Sequence, residues 1–141
     1  MHMKRLFDCL DHQLANFPKK DMLAAKEKGI WKTYSTADVA STVDALSAGL
    51  LSLGVSGHNF TPESSDKIAI MSSNRPEWVF TDLACQQIGA ILVPLYPTTN
   101  PIEVEFILND AAVGYVFVSN LELYEKVKSV ASKVPSIKGI Y

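Results

Sequence analysis

Glycine-rich phosphate loops are missing from this chain. Its seven glycines, at positions 29, 49, 54, 57, 89, 114 and 139, form neither GxGxxG nor GxxxxGK[ST]. Only glycine-rich backbone approaches a phosphate closely enough for several amides to bind it, so the sequence carries no triphosphate cradle of its own. Cysteine is scarce: Cys9 and Cys85 have neither metal-ligand nor redox spacing and read as inert thiols of a reducing compartment. His12 and His58 have no cysteine or acid at ligand spacing, so no metal site is expected, and both read as solvated surface side chains. Basic excess is absent too, with 13 Lys and Arg against 15 Asp and Glu, and the lysines are scattered. That argues against a nucleic-acid partner.

No long apolar segment follows the basic start Met1-His-Met-Lys-Arg-Leu-Phe7, so no signal peptide is expected and the cytoplasm is the default location. Leu83 to Ile102 lacks charge but contains Gln86, Gln87, Asn100 and the prolines at 94, 97 and 101. Freed amides beside prolines are costly in lipid, so this run reads as protein core and not as a membrane span, which leaves only peripheral membrane contact open.

What is present is an apolar fraction of 48% over 141 residues. That is enough to bury roughly two-thirds of the unfolded surface of one ordinary domain. Leu6, Phe7, Leu10 and Leu14 are spaced for a helix over about residues 3–16. Met22–Ala25 and Ile30–Tyr34 flank Lys26-Glu-Lys-Gly29 as a two-stranded ribbon. Ser35-Thr-Ala-Asp38 has capping-box form, and Val39, Val43, Leu46, Leu50 and Leu53 continue it as a helix stopped by Gly54. Residues 56–66 are built from loop formers and read as a surface excursion.

From there strands and helices alternate. Strands are expected at 67–72, 90–95, 114–118 and 136–141, with helices opening at Asn74-Arg-Pro-Glu77, Asn100-Pro-Ile-Glu103 and Ser119-Asn-Leu-Glu122. Each opening offers a side-chain acceptor with Glu three residues on, a local solution for the first helical amides. Ile68–Met71 and Tyr115–Val118 are apolar at consecutive positions, as strands of a parallel sheet covered on both faces are. The expected fold class is α/β: a layered parallel sheet with flanking helices over 35–141, preceded by a helix and a β-ribbon over 1–34. Pro135 to Tyr141 opens a further strand with an uncovered edge, so the chain reads as part of a larger domain that self-associates when isolated.

Asn74-Arg-Pro-Glu-Trp78 has a sufficient structural reading: Asn74 as cap, Pro76 in the first turn, Glu77 favouring the helix dipole and Trp78 burying a ring. Lys126, Lys128 and Lys133 with Glu122 and Glu125 read as a solvated, partly paired helix face.

Five segments in order carry a resemblance. They are Trp31-Lys-Thr-Tyr-Ser35, Leu53-Gly-Val55, Asp66-Lys-Ile-Ala-Ile70, Asn74 to Trp78, and Gly89-Ala-Ile-Leu-Val-Pro-Leu-Tyr-Pro-Thr98. Together they resemble the amino-terminal portion of long-chain fatty acid:CoA ligases, members of the adenylate-forming, AMP-binding enzymes. The excursion at 56–65 is longer than the connection usual in that family. The resemblance implies a parent that joins a fatty acid to CoA with ATP and Mg²⁺ through an acyl-adenylate. It implies that Tyr96 and Thr98 line the passage for the CoA pantetheine arm, although turn chemistry alone also explains Tyr96-Pro-Thr98. No catalytic residue is assigned, and the chain alone is expected neither to react nor to bind ATP, Mg²⁺ or CoA tightly. Two alternatives stay open: an adenylate-forming enzyme for another carboxylic acid, and a stand-alone α/β binding module, which would need clustered acids at strand ends that this sequence lacks.

Overall fold

The computed structural model describes residues 4–141. The chain forms two compact units, one made of everything up to Val55 together with Arg75–Ile88, the other of Ser56–Asn74 and Gly89–Tyr141.

The first unit begins with α1 (Asp8–Asn16). The helix starts later than the expected residue 3, and Met3 lies outside the described residues. Asp8 explains the start. Its carboxylate accepts from the Arg5 side chain and from the backbone N–H groups of Lys4 and Arg5, so residues 4 and 5 are folded onto the side chain instead of continuing the helix. These bonds, the Arg5 guanidinium foremost, hold the Asp8 carboxyl down at about 2. A folded value below the unfolded one means stability that is present above about pH 4 and lost as pH falls through about 2. We therefore expect the urea midpoints of the native chain and of Asp8→Asn to converge as pH drops through that window.

The ribbon pairs β1 (Leu23–Glu27) with β2 (Ile30–Tyr34) antiparallel, Glu27 opposite Ile30. The turn is therefore Lys28-Gly29 alone, shorter than the four residues expected. Both have positive φ, 49° and 85°, the requirement of a two-residue type I′ turn. α2 (Thr36–Ser52) has its full capping box, Ser35 Oγ accepting from Asp38 N–H and Asp38 accepting from Ser35 N–H. It ends in a Schellman arrangement: Gly54 N–H donates to Leu51 O, Val55 N–H to Leu50 O, and Gly54 has φ +81°. Leu53 stands at the cap and is exposed, not on the buried face expected for it. Ser47 is buried instead, its hydroxyl donating to Gln87 Oε1 of α3 (Pro76–Ile88). Tyr34 meets Phe80 edge to face at 5.4 Å.

The second unit holds a four-stranded, wholly parallel sheet in the order β4-β3-β5-β6, with β3 Lys67–Met71, β4 Ile91–Leu95, β5 Tyr115–Val118 and β6 Gly139–Ile140. α4 (Pro101–Asp110) and α5 (Leu121–Ala131) cover one face. Val104, Leu108, Leu123, Val127 and Val130 meet Ala69, Met71, Leu95 and Val116 there in a single apolar cluster. Ile68 and Ile70, on the opposite face, are buried as well. The α/β class and the parallel sheet are thus as the sequence implies, with the ends of the first three strands shifted by at most one residue and the last, expected over 136–141, reduced to Gly139–Ile140. Pro94 is accommodated because β4 is an edge strand. Ile91 N–H donates inward to Asp66 O, so by alternation the nitrogen of residue 94 faces outward.

Two helix starts differ from expectation. α3 begins at Pro76, so Arg75 and not Asn74 occupies the cap position. α5 is capped by Asn120, whose side chain accepts from Leu123 N–H, and not by Ser119. The cap of α4 is as expected, Asn100 Oδ1 accepting from Glu103 N–H ahead of Pro101.

Candidate functional site

From β3 the chain moves to β4 on one side and then returns past β3 to β5 on the other. Open α/β sheets bind ligands outside the carboxyl ends of strands around such a reversal. Three connections lie at that end: 72–75 after β3, 96–100 after β4 and 119–120 after β5. Ser119 N–H donates to Met71 O, which ties the first and third together.

The connection after β4 carries both predicted site residues. Tyr96-Pro97-Thr98-Thr99 is a β-turn closed by Thr99 N–H donating to Tyr96 O at 3.0 Å, with Pro97 at the position whose φ proline presets. Asn100 then caps α4, so the turn is fixed at both ends by a strand and a helix. Tyr96 is 81% exposed and Thr98 is exposed beside it. They offer a ring face and a hydroxyl, contacts suited to a neutral, amide-bearing chain.

The turn has one further support, which sequence reasoning missed. Lys126 Nζ of α5 donates to Pro97 O at 2.5 Å and to Thr99 O at 3.2 Å. The expected solvated, partly paired face holds for Lys128, Lys133, Glu122 and Glu125, which are exposed, and is corrected for Lys126. Lys126 is turned onto the β4–α4 connection, Lys128 lies 5.4 Å from the Tyr124 ring centre, and Lys133 pairs with Glu105 of α4 at 3.1 Å. Backbone carbonyl oxygens accept from a lysine ammonium too, and no residue type in the sequence announces them.

The Asn74–Trp78 motif does architectural work. Arg75 grips Glu77 with two parallel bonds, Nε to Oε2 at 2.7 Å and Nη2 to Oε1 at 2.8 Å, which holds the Glu77 carboxyl below the usual range. Trp78 is only half-buried; Pro76 and Phe80 carry the deeper burial expected of it.

His58 is likewise corrected, since it is not merely solvated. Its Nε2 lies 2.9 Å from Asp66 Oδ2 and its Nδ1 3.2 Å from Ser56 Oγ. The three residue types are those of a hydrolytic triad, but their bonds are those of a clamp. Ser56 Oγ accepts the His58 backbone N–H, and Asp66 Oδ2 also accepts the Ser56 backbone N–H. The group closes the 56–65 loop just before β3, at the opposite end of the strand from the connections described above. Cys85 is no nucleophile either, because burial pushes its thiol up to about 12.

The residues present do not fit a nucleotide triphosphate or Mg²⁺. Gly57 and Gly89 lie side by side under the chain's own exposed Phe60 ring, which an added Cβ on either would meet at 2.7 Å. Among the described residues no three His, Cys, Asp or Glu side chains converge as metal ligands would, and no helix is long and apolar enough to cross a membrane.

A protein-family model described as "AMP-binding enzyme" matches residues 10–141. The chain belongs to the AMP-binding enzyme family. Among the relatives of this chain is the peroxisomal long chain acyl-CoA synthetase 6 of Arabidopsis thaliana, 37% identical over 108 residues, 77% of this chain and 14% of that protein. Long-chain-fatty-acid–CoA ligase FadD15 of Mycobacterium bovis is 29% identical over 112 residues, 79% of this chain and 18% of the relative. A solved structure titled a putative long-chain-fatty-acid CoA ligase, from Rhodopseudomonas palustris, superposes with a TM-score of 0.78 at 29% identity, covering 99% of this chain and 33% of that one. The anthranilate CoA ligase AuaEII, solved with anthranoyl-AMP, shares the fold with a TM-score of 0.79 at 20% identity, over 97% of this chain and 24% of its own. The chain thus spans less than a fifth of the length of these curated relatives.

Proposed function

We propose that residues 1–141 are the amino-terminal part of an ATP-dependent long-chain fatty acid:CoA ligase acting in the cytoplasm. Such an enzyme joins a fatty acid to CoA with release of AMP and pyrophosphate. The observation that carries this reading is the run of five ordered segments from Trp31 to Thr98, in a family whose similar members include proteins named for long-chain acyl-CoA synthesis. The nucleotide and Mg²⁺ ligands belong to other parts of the protein, because no residue set among the described residues fits them. The contribution of this chain is a wall of the CoA passage. The Tyr96 ring lies along the pantetheine arm, and the Thr98 hydroxyl bonds one of its amides.

The test is kinetic and uses the whole ligase. Tyr96→Ala and Thr98→Ala are expected to raise KM for CoA by about tenfold, the value of one lost hydrogen bond or ring contact of roughly 1.4 kcal/mol. Fatty-acid-dependent exchange of pyrophosphate into ATP should stay unchanged, since it precedes CoA. Unchanged KM values for CoA would remove the site assignment. Turnover of an aryl acid with none of any long-chain fatty acid would move the protein to another acid class.

A further inference from the structure

We propose that Lys126 is a positioning residue for CoA: its ammonium fixes the Tyr96–Thr99 turn by holding the Pro97 and Thr99 carbonyls, and so sets the direction of the Tyr96 and Thr98 side chains. This rests on the reading of that turn as part of the CoA passage. A β-turn has one closing bond of its own, here Thr99 N–H to Tyr96 O, and its peptide planes can rotate about that bond. Lys126 removes the freedom. It comes from α5, 27 and 29 residues away, and bonds two carbonyls on either side of Thr98. Its α5 neighbours Leu123, Val127 and Val130 are sunk in the apolar cluster, so the lysine is anchored by the core and not by the turn it holds. The ammonium is partly buried, where a charge-assisted bond to a carbonyl is stronger than in open water. Tyr96 and Thr98 are themselves exposed and have no such packing to orient them.

Lysine suits this task. Its ammonium carries three donors on a compact centre and can serve two converging carbonyls at once, whereas methionine keeps the stem and loses every donor. Displacing a positioning group by about 1 Å can cost up to a hundredfold in rate or affinity, so a selective effect on CoA is expected from a residue that does not touch it.

In the whole ligase, Lys126→Met should raise KM for CoA by about tenfold while kcat and pyrophosphate exchange stay within about twofold. The rise should be equal for CoA and dephospho-CoA, because the lysine acts on the turn and not on a ligand phosphate. Lys126→Arg should recover most of the loss. In the 141-residue chain, Lys126→Met should speed hydrogen exchange at the Thr99 amide and leave the Val116 amide in the sheet unchanged. If Tyr96→Ala and Thr98→Ala raise KM for CoA and Lys126→Met does not, the positioning role alone is overturned. It is overturned equally if Lys126→Met lowers every kinetic parameter and the melting temperature together. If none of the three variants changes KM for CoA, the reading of the turn fails and the positioning role fails with it.

Discussion

Leu108→Ala lowers the stability of the chain by about 2–5 kcal/mol, whereas Ile102→Ala and Phe106→Ala on the same helix change it by less than about 0.5 kcal/mol. The three residues belong to α4 and are of similar apolar character. Leu108 is fully buried among Val104, Val113, Val116, Val127 and the rest of the cluster, and its truncation leaves a cavity that close-packed neighbours fill only in part. Ile102 and Phe106 are 80% and 67% exposed on the other side, so truncating them removes surface that water already reaches. Urea unfolding of the three variants checks this directly. Equal losses for all three would mean that α4 is turned differently about its axis.

Gly89→Ala is expected to cost about 2–5 kcal/mol, from two independent sources. Gly89 has φ +75°, a conformation that costs an L-residue about 1–2 kcal/mol. Its added Cβ would also lie 2.7 Å from the Phe60 ring and 3.1 Å from the Gly57 Cα, and overpacking of this kind adds about 1–3 kcal/mol. The two parts can be separated. Gly54→Ala shares the positive φ, +81°, but its Cβ meets nothing within 4 Å, so it should show the backbone part alone. Phe60→Ala combined with Gly89→Ala should recover the ring part and leave the backbone part. A double-mutant cycle by thermal unfolding measures the coupling. A coupling of zero would show that the ring swings away freely.

The contrast within α4 also explains what the sequence makes legible. The strands are readable because Ile68–Met71 and Tyr115–Val118 are apolar at every position and have few other uses. α4 is readable as a helix from its cap and Pro101, but not which face it buries, since residues 102, 104, 106, 107 and 108 are all apolar. Helix starts are less legible where two residues compete for the cap. Asn74 and Arg75 precede Pro76, and the helix starts directly after the second, whose side chain pairs with Glu77. The turn bearing Tyr96 and Thr98 is visible from its prolines. Its support is not: Lys126 bonds backbone carbonyls, and every residue has one. The His58–Asp66 clamp is hidden for a similar reason, since an eight-residue separation matches no metal or catalytic spacing and becomes a contact only when the loop folds back.

Pro94 gives the sheet a polarity that its strand order does not. On the outer side of β4 the ladder positions belong to residues 92 and 94, and only Leu92 has a proton to give. A strand approaching from that flank finds every second rung missing, and its own carbonyl there would be stranded without a partner. The β6 flank carries no proline over residues 138–141, and the bonds of Tyr141 to Val116 and Val118 face inward to β5. A single imino acid thereby makes the β4 flank a poor template for a further strand.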